Sequence, residues 1–188
     1  MRVQTERLIL RRWRLADQEP LVRHANNRNV SINLRDLFPY PYTAEHAREW
    51  IARQTVLPDP PQNLVIEHAG EFVGNVGLNP LSDVCRFTAE VGYWLGEDFW
   101  GRGFASEALR GFTGYVFATF PFERLEAWVF SSNPASRRVL EKACYEHEAT
   151  LRRSVFKEGR FLDSHVYVRF RPRQEDHQVQ PQSDQSQV

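Results

Sequence analysis

Trp100-Gly101-Arg102-Gly103-Phe104-Ala105-Ser106-Glu107-Ala108 carries two glycines one residue apart, set between a β-forming stretch and a helical one. The stretch before it, Ala89-Glu90-Val91-Gly92-Tyr93-Trp94-Leu95, is rich in β-formers and ends at Gly96-Glu97-Asp98, which reads as a strand closed by a turn. From Ser106 to Thr119, apolar residues recur at Ala108, Leu109, Phe112, Tyr115 and Val116, the spacing of an amphipathic helix. The glycines therefore stand at a helix N-terminus, where free N–H groups and the macrodipole favour an anion. Gly101 and Gly103 let the backbone approach a phosphate and take positive φ, and Arg102 offers a charged donor. The same pattern also marks an ordinary tight turn. It is neither a Walker A loop nor a full Gly-x-Gly-x-x-Gly, because Lys and the third Gly are missing.

Further along, Leu125-Glu126-Ala127-Trp128-Val129-Phe130 reads as a strand, and Ser131-Ser132-Asn133-Pro134-Ala135-Ser136-Arg137-Arg138-Val139-Leu140-Glu141-Lys142 follows it. Asn133 suits a helix cap with Pro134 in the first helical position.

With these segments in order, the sequence resembles the GNAT superfamily of acetyl-CoA-dependent N-acetyltransferases. The family's pyrophosphate loop, Gln/Arg-x-x-Gly-x-Gly/Ala, is matched from Trp100 to Ala105, and its Asn-x-x-Ser/Ala helix ending in Glu-Lys is matched from Asn133 to Lys142. Thr5-Glu6-Arg7-Leu8-Ile9-Leu10-Arg11, Pro41-Tyr42-Thr43 with Ala47-Arg48-Glu49-Trp50-Ile51, and Glu90 to Leu95 resemble the ribosomal-protein N-terminal, or Rim-type, branch. The likeness covers most of Thr5 to Phe170. Three departures stand out: Trp100 opens the loop, Cys144-Tyr145 replace the usual Gly-Phe after the second motif, and Leu140 occupies the place where many relatives carry an acidic Tyr.

The resemblance implies a mixed α/β fold, with a mostly antiparallel sheet, helices on both faces and a splayed gap beside the cofactor strand. It also implies an enzyme that transfers acetyl from acetyl-CoA directly to a primary amine, either a protein N-terminus or a small molecule. Cofactor contacts are expected from Tyr93, Trp94 and Leu95, from Trp100, Gly101, Arg102, Gly103, Phe104, Ala105 and Ser106, and from Asn133 and Ser136. Catalysis asks for a base, since an ammonium must lose a proton before its nitrogen can attack a thioester; Glu90 is the candidate. A backbone N–H from Trp94 or Leu95 is the expected donor to the developing oxyanion. Ser136 is expected at the leaving sulfur or at a water beside it, and Tyr145 is a further acid candidate. The alternative is a noncatalytic CoA-binding sensor or scaffold with the same fold, kept open by Leu140.

The aromatic, Pro-rich connection Asn33-Leu34-Arg35-Asp36-Leu37-Phe38-Pro39-Tyr40-Pro41-Tyr42 is read either as the border of the amine site, with Asp36 attracting the cation, or as a packed lid. Gly159-Arg160-Phe161-Leu162-Asp163 resembles the loop before the family's last strand and carries the same two readings. The other elements are a strand at Leu8 to Trp13, helices at Ala16 to Arg28 and Ala44 to Gln54, and strands at Leu64 to His68, Phe72 to Leu78, Phe87 to Leu95, Val155 to Phe156 and His165 to Phe170, with a hairpin turn at Ala69-Gly70.

Composition sets bounds. A chain of 188 residues, 41% hydrophobic and 13% aromatic, suits one domain over 1–170 followed by a disordered polar tail over 171–188. Twenty-four basic and twenty-four acidic residues leave no net field, so neither nucleic acid nor membrane is an expected partner. Cys85 and Cys144 show no metal or disulfide spacing and read as small buried apolar groups in a reducing compartment. No metal is expected, since the histidines form no His-x-x-x-His pattern; Gly-x-Ser-x-Gly is also absent. With neither a signal peptide nor a membrane-length apolar run in the sequence, the expected location is the cytoplasm. The resemblance is compatible with a homodimer.

Overall fold

Alternating apolar residues on either side of Ala69-Gly70 fold back as a two-residue hairpin, with His68 paired to Glu71 and φ of 50° and 84° at the two turn residues. In the computed structural model, which describes residues 1–56 and 59–173, this hairpin lies in an eight-stranded sheet. The strands are β1 (Arg2–Gln4), β2 (Leu8–Arg11), β3 (Asn63–His68), β4 (Glu71–Pro80), β5 (Thr88–Leu95), β6 (Arg124–Phe130), β7 (Glu146–Lys157) and β8 (Arg160–Phe170). Their spatial order is β1-β2-β3-β4-β5-β6-β8-β7, and every pair is antiparallel except β5 with β6.

The helices are α1 (Gln18–Ala25), α2 (Arg28–Ser31), α3 (Ala44–Val56), α4 (Phe104–Thr119) and α5 (Pro134–Lys142). One face of the sheet is covered by α4 and α5, whose Leu109, Phe112, Val116 and Leu140 pack on Leu8, Leu10, Val76 and Val91. The opposite face is covered by α1 and α3, with Leu21, Ala47 and Ile51 against Trp13, Val65 and Phe72. Full burial of each such large side chain contributes about 1.5–3 kcal/mol. The strand β4 is buried continuously from Phe72 to Leu78, as a central strand covered on both faces must be.

Several boundaries differ from those read in the sequence. The expected helix at Ala16 to Arg28 is divided into α1 and α2, with Asn27 between them in extended backbone, its side chain accepting from the Asn29 N–H. The short strand expected at Val155 to Phe156 is the end of the twelve-residue β7. Most of β7 is exposed, with charged and polar residues spread along it, so it lacks the apolar signal of a core strand. β1 has only three residues and no apolar run of its own.

Both cysteines are exposed, contrary to the buried reading. Cys144 takes φ of 63° directly after α5, a backbone state suited to glycine at a helix C-terminus. The turn forms nevertheless, with the Tyr145 N–H donating to the Leu140 carbonyl at 2.9 Å. Arg171 donates to the carbonyls of Phe117, Phe120 and Phe122, which ties it to the end of α4. Arg171, the first residue of the expected tail, is thus held by the domain, and residues 174–188 of that tail lie outside the described residues.

Candidate active site

Strands β5 and β6 share only three register pairs, Thr88 with Arg124, Ala89 with Leu125 and Glu90 with Glu126. Beyond Glu90 they part, while β5 stays paired to β4 as far as Leu95. The split opens into a cleft of about 940 Å³ that passes through the sheet.

Strand geometry decides what each β5 residue offers to the gap. The Gly96 N–H donates to the Val73 carbonyl of β4 at 3.0 Å. Backbone groups alternate along a strand, so Trp94 also bonds toward β4, whereas the Tyr93 and Leu95 N–H groups face the gap. Of the two N–H groups expected to serve an oxyanion, Leu95 has the required direction. The Leu95 carbonyl points the same way and accepts from the Trp100 indole at 2.9 Å.

Side chains alternate too. Tyr93 lies on the α4–α5 face, its hydroxyl 2.8 Å from Ser136 Oγ and 3.2 Å from the Ser136 carbonyl. Burial pushes the Tyr93 phenol well above its ordinary value, the Ser136 hydrogen bond opposes this and Tyr145 adds to it, so the group stays neutral. Trp94 lies on the other face, 5.6 Å from Phe38 and 6.0 Å from Phe72 between ring centroids. Tyr145 is buried against Thr113, with its phenol pushed up by burial to about 12. It does not line the cleft, which removes it from the acid candidates.

The loop after β5 behaves as its glycines imply. Gly101 and Gly103 have φ of 76° and 79°, and Gly103 is the left-handed N-cap of α4. The helix starts at Phe104, two residues before the apolar periodicity suggested. A Cβ at Gly101 would meet only open space, so the backbone there can be reached from the cleft. The Phe104 side chain is buried under His68 and Arg7, leaving its backbone for a ligand, and Ser106 is buried in the first turn. Ala105 and Ser106 both line the cleft.

Arg102 is exposed beside the Phe99 ring. Its carbonyl accepts from Arg7, which leads to a contact the sequence did not signal. Glu107, in the first turn of α4, accepts from the Thr5 hydroxyl and the Arg7 N–H at 2.7 Å each and pairs with the Arg7 guanidinium at 2.7 Å. Burial opposes its ionisation, but the hydrogen bonds from Thr5 and Arg7 and the Arg7 charge outweigh it and hold the carboxyl below its ordinary value. The Thr5-Glu6-Arg7 segment thereby clasps the glycine loop.

Asn133 caps α5 by accepting from the Ser136 N–H at 3.0 Å. Both residues line the cleft, as does Leu140, which is fully buried. Glu90 lines it from the other face and is paired at 2.5 Å with Arg35 of the connection between α2 and α3. The next residue, Asp36, holds the Lys157 ammonium at 2.7 Å, so the acid expected to attract a cation already has one. Arg35 and Asp36 thus latch the 33–42 segment to β5 and β7 on opposite sides of the cleft. Glu158-Gly159 is the tight turn between β7 and β8, and Arg160 to Asp163 belong to β8.

Among the described residues, two buried side-chain polar atoms have no hydrogen-bond partner, Trp13 Nε1 and Ser164 Oγ. Both residues line this cleft. An unpaired buried donor costs about 1–3 kcal/mol, and such groups gather where a ligand completes the site. No group of three or more metal-ligating side chains occurs among the described residues.

Residues 7–145 match the acetyltransferase (GNAT) domain family. The chain belongs to the GNAT family of acetyltransferases. Among its GNAT relatives, an uncharacterized N-acetyltransferase p20 of Bacillus licheniformis is 30% identical over 87% of this chain and 92% of its own length. The ribosomal-protein-serine acetyltransferase of Escherichia coli is 27% identical over 53% of this chain and 55% of its own. Among solved structures, RimL, a ribosomal L7/L12 α-N-protein acetyltransferase in complex with coenzyme A, superposes with a TM-score of 0.79 at 20% identity, over 90% of this chain and 98% of that one. The spermidine N-acetyltransferase of Vibrio cholerae in complex with CoA and spermine gives 0.73 at 22%, over 87% and 95%. These structures share the GNAT sheet and helices. No described helix is long and apolar enough to cross a membrane.

Proposed function

We propose that this GNAT acetyltransferase binds acetyl-CoA in the β5–β6 gap and transfers the acetyl group to a primary amine entering from the α1–α3 face. The observation that carries the reading is the alignment of two backbone anion sites along one cleft: the open N-terminus of α4 at Gly101–Ser106, and the Leu95 N–H facing the gap. The residues fit the cofactor, because the glycine loop is open and no β6 partner claims the Tyr93 and Leu95 backbone.

The N–H groups from Gly101 to Ser106 hold the pyrophosphate with the macrodipole behind them. Tyr93 offers its N–H and C=O groups to the amides of the pantetheine arm, with Asn133 at its side. Glu90 takes the proton from the substrate ammonium, and the freed nitrogen forms the new C–N bond. Charge that builds on the thioester oxygen is met by the Leu95 N–H. As the C–S bond breaks, the Ser136 hydroxyl, oriented by Tyr93, donates a hydrogen bond to the sulfur. Because the Tyr93 phenol stays neutral, this pair steadies the departing thiolate by hydrogen bonding, and the thiolate takes up the second nitrogen proton as the adduct collapses to the amide, leaving free thiol and a protonated Glu90 that returns its proton to solvent. A tyrosine in the place of Leu140 is then not needed.

Arg35 occupies the Glu90 carboxylate, so the substrate cation displaces it on entry. The test is calorimetric titration with acetyl-CoA followed by a screen of amines and peptide N-termini for free thiol release. Binding without turnover on any amine would leave a CoA-binding module and refute the transferase reading.

A further inference from the structure

On the α1–α3 face of the sheet, one row of residues runs across four strands as a trough. Gly92 of β5 is paired with Gly77 of β4, and Gly77 with Asn63 of β3. Trp13, two residues beyond Arg11, which is paired with Val65, continues the row on the far side of Asn63. Trp128, two residues beyond Glu126 of the last β5–β6 pair, ends it across the gap. All five residues line the cleft.

The row is low at Gly92, where a Cβ would meet open space, and at Gly77 the missing side chain makes room for the Asn63 amide, whose Oδ1 lies over the Gly77 backbone as the floor of the trough. The neighbouring row stands higher, with Asn75 and Trp94 on one flank, while Asn79 and Glu90 form the other. At the far end is the indole of Trp13, 6% exposed and with no hydrogen-bond partner for its N–H.

We infer that this trough binds the tail of the amine substrate, and that the Trp13 N–H selects amines carrying a hydrogen-bond-accepting oxygen, such as an amide carbonyl, at the end opposite the nitrogen. The inference rests on the acetyltransferase reading of the cleft and adds the class of amine it takes. The amine nitrogen sits by Glu90, at the gap, and the tail lies over Gly92 and the Asn63 amide beside the Trp94 ring. From β5 to the Trp13 position is three strand spacings, about 14 Å between backbones, which, less the reach of the indole, suits an amine and an oxygen about seven bonds apart. The Trp13 donor, costly when unpaired in the protein, is then satisfied by the substrate.

The test is a calorimetric titration of the full chain, in the presence of CoA, with 6-aminohexanamide and with hexylamine. The wild type binds the amide about 5-fold to 10-fold more tightly, the range expected for one neutral hydrogen bond, and Trp13→Phe brings the ratio close to one. A wild-type ratio near one, or a ratio unchanged in Trp13→Phe, overturns the inference. Should Trp13→Phe fail to fold, Gly92→Val reads the same trough by filling it, and amide binding that persists at wild-type strength in that variant also overturns it. The readout is binding, so it stands apart from the thiol-release screen across amines and peptide N-termini, whose failure would refute the transferase reading separately.

Discussion

The two halves of the cleft are made of different materials. The half under α4 and α5 is built from backbone: positive-φ glycines, a helix N-terminus and an unpaired strand edge. The half under α1 and α3 is built from side chains brought together from the segment after β2, from β3, β5 and β7 and from the 33–42 segment, including Arg35 on Glu90 and Asp36 on Lys157. Backbone sites tolerate few residue types, so they leave a mark in a single sequence. Side-chain sites allow many solutions, and their members are far apart in the chain.

This contrast can be broken at several points. The largest effect is expected from Gly103→Asp, which puts a Cβ at φ of 79° and a negative charge on the helix N-terminus. Acetyl-CoA affinity should fall at least about 100-fold by calorimetry, from strain and repulsion together. Unchanged affinity would mean the loop does not hold phosphate. On the other half, Glu90→Gln should lower kcat about 100-fold, typical of a lost general base, while acetyl-CoA affinity stays within a factor of two. A rate that survives across the pH range would remove Glu90 from the role.

A third expectation concerns the clasp. Arg7→Met leaves the buried Glu107 carboxylate without its cation and should cost about 2 kcal/mol in denaturant unfolding. The sign of the pH dependence follows from the lowered folded-state value of Glu107. Its contribution is complete above the ordinary value of 4.5 and is lost as pH falls through the depressed one. Wild-type stability should therefore decline below about pH 4.5 more steeply than that of Arg7→Met. Parallel declines would show that the clasp is not the source. The smallest effect is expected at Cys144→Gly, which should stabilise the fold by about 1 kcal/mol by relieving φ of 63°, seen as a raised Tm.

How much was legible follows from the same contrast. The glycine loop, the Asn133 cap and the Ala69-Gly70 hairpin each rest on local backbone chemistry and were readable from a few adjacent residues. The Glu107 clasp joins positions about one hundred residues apart and has no local signature. Asp36 looked like a free cation site because its partner, Lys157, lies at the end of an exposed edge strand whose length the sequence under-read. The cysteines were misjudged because general burial preference was applied to two turn positions, Cys85 and Cys144.

The Thr5–Arg7–Glu107 contact also makes the start of the chain a working part of the proposed donor pocket. Removing the first seven residues, or fusing a bulky partner directly onto them, would unseat the glycine loop about as surely as a substitution within it. Conversely, acetyl-CoA bound at that loop would slow amide exchange in β1 and β2, so that the cofactor is registered by strands that never touch it.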